Sequence, residues 1–161
     1  MNASVSKALS NIDESYESLI EVANDIFNEI SKDVDEIMSE AYDNIEIMNN
    51  DTIRNLMLKL SLRSYSFSEI KERATFKAVL GEVLRKEVYA DNFNKSEGTV
   101  ATRENTATIE SSAEILAEEI YTLVANMLKT KLDELHRVVS TLQSVLMTRM
   151  QEAKLSTFEV N

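Results

Sequence analysis

Cysteine, proline and tryptophan are absent from this chain, and glycine occurs twice in 161 residues. Each absence removes a class of explanation. Without cysteine there is no disulfide framework, no thiolate metal site and no cysteine nucleophile, a composition that suits a reducing compartment. Without proline, and with glycine only at positions 81 and 98, nearly all the punctuation that hairpins and tight turns require is missing. Helix-forming Ala, Leu, Glu, Lys, Met and Ile dominate instead, so the expected class is all-α. No window approaches the 18 consecutive apolar residues of a membrane span. The start, MNASVSKALSNIDESYESL, has no basic region followed by an apolar run and a cleavage site. These features predict a soluble, cytoplasmic protein.

What is present is a chain of single-domain length with 43% apolar residues, enough to build a core, and a net charge of −11. The charge is uneven. Residues 1–52 hold Lys7 and Lys32 against thirteen carboxylates, a net of −11; residues 53–86 hold eight cations against three carboxylates, a net of +5; residues 87–161 hold seven against twelve, a net of −5. Such asymmetry speaks to partners and association rates rather than to fold. The acidic arm reads as a solvated helix face, as a screen over the positive block, or as a surface for a basic partner.

Apolar residues recur in steps of three and four from Leu9 through Ile12, Tyr16, Leu19, Ala23, Ile26, Ile30, Val34, Ile37, Ala41 and Ile45 to Met48, a helical stripe. Ser10 or Asn11 is its expected cap, and the run 49–51 its expected stop. A shorter helix is expected over Thr52–Leu62. Ser66 followed by Glu69 has the form of a capping box, opening a helix toward Asn92 with Ile70, Phe76 or the Lys77 stem, Leu80, Leu84 and Val88 as its buried face. Gly81 within it implies a close helix crossing or a weak point. NFNKSEGTVATREN, 92–105, reads as the loop of the chain. From about Thr106 to Ala153 an unbroken pattern predicts one helix of roughly fifty residues, on the order of 75 Å at 1.5 Å per residue, whereas a compact monomer of this size is about 30 Å across. The expectation is an elongated helical bundle with two long helices and one or two shorter ones, oligomeric through coiled-coil-like seams. Its segments are an acidic arm at 1–52, a basic-aromatic helical segment at 53–93, a loop at 94–105 and a long oligomerisation helix at 106–161. The seam residues are Leu116, Ile120, Val124, Leu128, Leu132, Leu135, Val139, Leu142 and Leu146.

The chemistry of catalysis is thinly represented. His136, the single histidine, has Asp133 three residues before it, which would allow one carboxylate–histidine pair. Di-metal bundles need two such units and further carboxylates, so no metal is expected. Glu110, Glu114 and Glu118 share a helix face, a spacing that any exposed face also shows. Neither G-x-G-x-x-G nor G-x-x-x-x-G-K-[ST] is present. The expectation is a protein that is not an enzyme and uses no cofactor.

The positive block KERATFKAVLGEVLRK, 71–86, carries Lys71, Arg73, Lys77, Arg85 and Lys86 against two acids, with Arg63 ahead of it and Tyr65, Phe67, Phe76, Tyr89 and Phe93 in and beside it. Cations engage phosphates and aromatic faces stack on unpaired bases, a combination suited to single strands without sequence preference. The six cations are therefore candidate nucleic-acid contacts. The alternative is a core helix whose aromatics are buried and whose cations pair with the acidic arm.

Over residues 53–155 the order of elements resembles the phage recombination mediator (UvsY-type) family: RSYSFSEIKERATFKAVLGEVLRKEVYADNF, then the Gly-containing KSEGTVATREN, then EEIYTLVANMLKTKLDELHRVVSTLQSVLMTRMQEAKL. The resemblance implies a ring-forming helical protein that binds single-stranded DNA, contacts the single-strand-binding protein and a RecA-like recombinase, and assists recombinase loading, in the host cytoplasm if phage-encoded. Lys71, Arg73, Lys77, Arg85 and Lys86 match the family's basic DNA-binding stretch, and the helix at 106–156 its oligomer-forming part. Two other functions stay open: a structural or assembly component, of a virion or scaffold, that does not bind DNA, and an acidic inhibitor of a host nucleic-acid-binding protein that acts through the first helix.

Overall fold

The computed structural model describes the backbone of residues 3–158 and the side chains of residues 17–155. Among these residues the protein is all-α, with four helices and no strand: α1 (Ala3–Asn44), α2 (Asn50–Lys95), α3 (Val100–Glu110) and α4 (Ser112–Phe158). No helix among the described residues is long and apolar enough to cross a membrane. α1 begins ahead of the cap expected at Ser10 or Asn11. The stripe positions Leu9, Ile12 and Tyr16 lie outside the described side chains.

Three long helices stand where two were expected, because α2 does not break at 62–66. Ser66 fails to cap: its hydroxyl donates back to the Leu62 carbonyl at 3.5 Å, and Ser64 likewise to Ser61 at 2.8 Å. Serines that bond back to the preceding turn are compatible with a continuing helix, and Phe67, 2% exposed, anchors the turn that follows. The loop expected at 94–105 is shorter for a similar reason. Gly98 takes φ 112°, a conformation that favours glycine, and Thr99 accepts a hydrogen bond from the Thr102 amide, capping α3. α4 starts later than Thr106, since Ser111, buried, interrupts the helix and donates its hydroxyl to the Thr108 carbonyl at 3.2 Å.

The chain divides into two compact units, to both of which α1, α2 and α4 contribute. The second unit, Glu29–Ile70 with Leu128–Asn161, has a core of large aliphatic side chains. α1 supplies Val34, Met38 and Ala41; α2 supplies Ile53, Leu56, Leu60 and Phe67; α4 supplies Leu128, Leu132, Leu135, Val138 and Leu142, all buried. The spacing by three and four along each helix produces these faces. Lys131 crosses from α4 to Asp35 on α1 and also meets Glu134 at 3.0 Å. Arg63 on α2 pairs with Asp33 at 2.6 Å.

The reversal between α1 and α2 contains neither glycine nor proline. Asn49 caps α2, its Oδ1 accepting from the Thr52 amide at 2.8 Å. The carbonyls of the connection that follows α1 accept from Arg149 of α4, whose guanidinium donates to Ile45 and Glu46, both at 2.9 Å, and to Met48. A cation at a helix C-terminus also matches the sign of the helix dipole.

The first unit, Met1–Asn28 with Lys71–Met127, is built differently. Among the described residues its buried apolar residues are Ala23, Ala74, Ala107 and Val124, with Gly81 and Ser111 also buried. α2 and α4 approach closely where Gly81 faces Glu118; a Cβ on Gly81 would lie 3.1 Å from the Glu118 Cα.

Candidate nucleic-acid and assembly interface

Of the six candidate DNA-contacting cations, Arg63 belongs to the second unit and the other five to the first. Ala74 and Gly81 mark the buried side of α2, and each cation's register relative to them decides what it meets. Arg85, four residues after Gly81, turns inward, and its Nε donates to Glu118 at 2.8 Å with both side chains largely covered. Lys71 pairs with Glu72 at 2.7 Å and Lys86 with Glu82 one turn back at 2.5 Å. The hydrogen bond from Lys86, then its charge, holds the Glu82 carboxyl below its ordinary pKa against a small opposing effect of burial. Lys77 donates to the Tyr121 hydroxyl at 3.2 Å and lies 4.6 Å from the centre of that ring, a cation–π contact. Arg73 and Lys77 are exposed.

The structure thus sorts the positive block by direction. The exposed charged residues of α2 in this unit are Glu72, Arg73, Lys77, Lys86, Glu87, Asp91 and Lys95, of both signs and interleaved. The +5 of the linear segment does not become a positive surface of that size.

The aromatics divide as well. Tyr89 and Phe93 stack, with ring centres 6.3 Å apart and planes 12° from parallel. Arg103 of α3 covers Phe93 at 4.1 Å from its centre and donates to the Phe93 carbonyl at 2.9 Å. These groups fasten the α2–α3 connection. Phe76, by contrast, is 67% exposed.

The expected buried face of α2 is a correction. Phe76, Leu80 and Leu84 are exposed, and Ile70 and Val88 are half-buried. The large residues had been assigned to the core by size, whereas Ala74 and Gly81 occupy it because small residues let two helices come close. Phe76, Val79, Leu80, Val83 and Leu84 form an uncovered apolar row on the outer face of α2. The seven-residue spacing of Ala74 and Gly81 was the available signal, since Phe76 and Val83 fall on the side away from them.

The expected oligomerisation seam on α4 is also corrected. Val124, Leu128, Leu132, Leu135 and Leu142 are buried within the chain itself, and Ile120, Val139 and Leu146 are half-buried; Leu116 alone of the nine is exposed. The periodicity was real, and its partners are helices of the same chain.

His136 and Asp133 are both exposed on α4, and no group of three or more metal-ligating side chains occurs among the described residues. Glu118 is engaged by Arg85, Glu110 is exposed, and one carboxylate oxygen of Glu114 is buried without a hydrogen-bond partner. On α1 the acidic residues Glu17, Glu21, Asp25, Glu29, Glu36, Glu40 and Asp43 are exposed, a solvated face, whereas Asp33 and Asp35 hold Arg63 and Lys131. No protein-family model, curated protein or solved structure matches the chain.

Proposed function

We propose that this protein works as a self-associating helical assembly protein. The observation that carries this reading is the row Phe76, Val79, Leu80, Val83 and Leu84, between 43% and 67% exposed on one helix. A monomeric soluble protein exposes few contiguous apolar patches beyond a few hundred Å², and larger ones mark interaction surfaces. The interleaved charges beside the row suit a protein contact better than a polyanion, which favours one sign. Light scattering over a concentration series tests the proposal: a mass that stays at one copy up to the solubility limit would refute it.

A second reading, single-stranded DNA binding of the recombination-mediator kind with a recombinase and a single-strand-binding protein as partners, is supported by a different observation. Exposed Phe76 offers a stacking face beside Arg73 and Lys77. Fluorescence anisotropy with labelled single-stranded DNA at two salt concentrations tests it. Affinity that falls steeply with salt and is lost in Phe76→Ala supports the reading; no binding at low salt removes it.

A further inference from the structure

We infer that the connection between α1 and α2 is a guanidinium-binding site, that Arg149 of α4 fills it in cis, and that this contact is a reversible clasp joining the corner to the end of α4. The inference is independent of the self-association reading, and every residue it uses belongs to the second unit.

The corner lacks its own means of closure. A helix C-terminus is ordinarily satisfied by a left-handed glycine or by a basic residue in its last turn. The last turn of α1 carries no basic residue, and among the described residues positive φ occurs only at Gly98. The amides of the connection are settled locally. Those of Ile47 and Met48 both donate to the Asn44 carbonyl at 3.0 Å, and Asn49 caps α2 by accepting from the Thr52 amide and hydroxyl. That leaves the carbonyls of Ile45, Glu46 and Met48, and all three accept from one guanidinium.

The arrangement selects this cation by shape. One terminal nitrogen of Arg149 serves Ile45 and Glu46, both at 2.9 Å, while the other serves Met48, so a planar fork spans three acceptors at once. An ammonium is a compact point charge without that fork. Glu40, Asp43 and Glu46, exposed in and just before the corner, and the negative end of the α1 dipole attract any cation. Charge therefore supplies attraction, and the fork supplies selectivity.

The far side of the clasp depends on the same contact. Leu142 is the last buried residue of α4, and none of residues 143–155 is buried. Roughly 20 Å of helix thus runs past the packed core, and an end with so few buried contacts opens at low cost. Release of Arg149 frees the end of α4 and leaves the corner carbonyls open to a guanidinium supplied from outside.

Amide hydrogen exchange of Arg149→Ala, read by NMR on the full chain, tests the inference. Exchange at Ile47, Met48 and residues 143–155 should rise by on the order of tenfold, as expected for lost charge-assisted hydrogen bonds, while Leu56 and Leu60 in the core stay protected. Guanidinium chloride at about 20 mM, far below its denaturing range, should restore protection at Ile47 and Met48 and shift the amide signals of residues 45–48 to saturation. It should not restore residues 143–155, because a free ion does not tether α4. The unmodified protein should not respond, its site being filled, and ammonium chloride should not substitute. Arg149→Lys should stay closer to Arg149→Ala than to the unmodified protein. Should Arg149→Ala lose helical content by circular dichroism, the same titration on Arg149→Lys decides. Unchanged exchange in Arg149→Ala overturns the clasp. Faster exchange that no ion reverses, or that ammonium reverses as well as guanidinium, overturns the guanidinium site, as does full protection in Arg149→Lys.

Discussion

The two units of this chain pack the same helices with side chains of different size. In the second unit the core is filled by large residues, and Ile53, Leu56, Leu60, Leu128, Leu135 and Leu142 are at most 2% exposed, although Leu58, Leu62 and Tyr65 of α2 face outward there too. Among the described residues of the first unit the buried positions go to alanine, glycine, serine and Val124, while Phe76, Val79, Leu80, Val83 and Leu84 of α2 face outward. Close approach of backbones replaces bulk as the means of packing, and the apolar residues released from the core are left for a surface. The difference teaches that bulk fills the core of the second unit, whereas small residues let backbones come close in the first.

The comparison breaks first at its strong side. Leu135→Ala, at a fully buried position, should cost about 2–5 kcal/mol of unfolding free energy through lost burial and the cavity left behind, read by denaturant titration. A loss near that of a surface substitution would mean that Leu135 is not packed as its burial indicates.

Gly81→Ala tests the other mode of packing. Alanine gains about 1 kcal/mol of helix propensity, but its Cβ would meet the α4 backbone at Glu118, 3.1 Å away at both N and Cα. Backbone in a packed helix yields little, and overpacking of this kind costs about 1–3 kcal/mol. The expected net change is a loss of about 1 kcal/mol, with faster amide exchange concentrated in residues 71–127.

A third test separates charge from packing inside the second unit. Burial is the largest single influence on Lys131 and lowers its pKa, but the hydrogen bonds to Asp35 and Glu134 and their charges together outweigh it, so the net displacement is upward. A value raised on folding means that the stabilisation is complete below the ordinary lysine range and is lost as pH rises through the raised value. Lys131→Met should therefore cost about 1 kcal/mol at neutral pH and should flatten the decline of stability in strongly alkaline solution. Equal pH profiles for the two proteins would contradict this.

The smallest effect is expected at the outer face. Val79→Ser, at a position 52% exposed, should change unfolding free energy by less than about 0.5 kcal/mol at dilutions where association is absent. The same substitution should weaken association where it is present.

Much of this architecture was legible in the sequence. The stripe Ala23, Val34, Ala41, Met48 and the run Leu128, Leu132, Leu135, Leu142 follow helical spacing, and all are buried. Periodicity shows that a face will be covered without showing by what, which is why the α4 seam read as an intermolecular edge. Serine was misread at 66 because its hydroxyl can cap a helix or bond back along one, and only tertiary anchoring at Phe67 decides. The cations of the positive block were countable, but pairings such as Arg85 with Glu118 join residues 33 positions apart, and a linear charge sum does not contain them.

Arg149 bears on the order in which the chain can finish folding. Its guanidinium meets the Met48 carbonyl from 101 residues downstream, and it closes a corner that contains neither glycine nor proline. On a ribosome, α1 and α2 emerge long before the group that latches them together. A truncation ahead of residue 149 leaves that corner unfastened even though both helices are complete, so the last helix governs the maturation of the first junction.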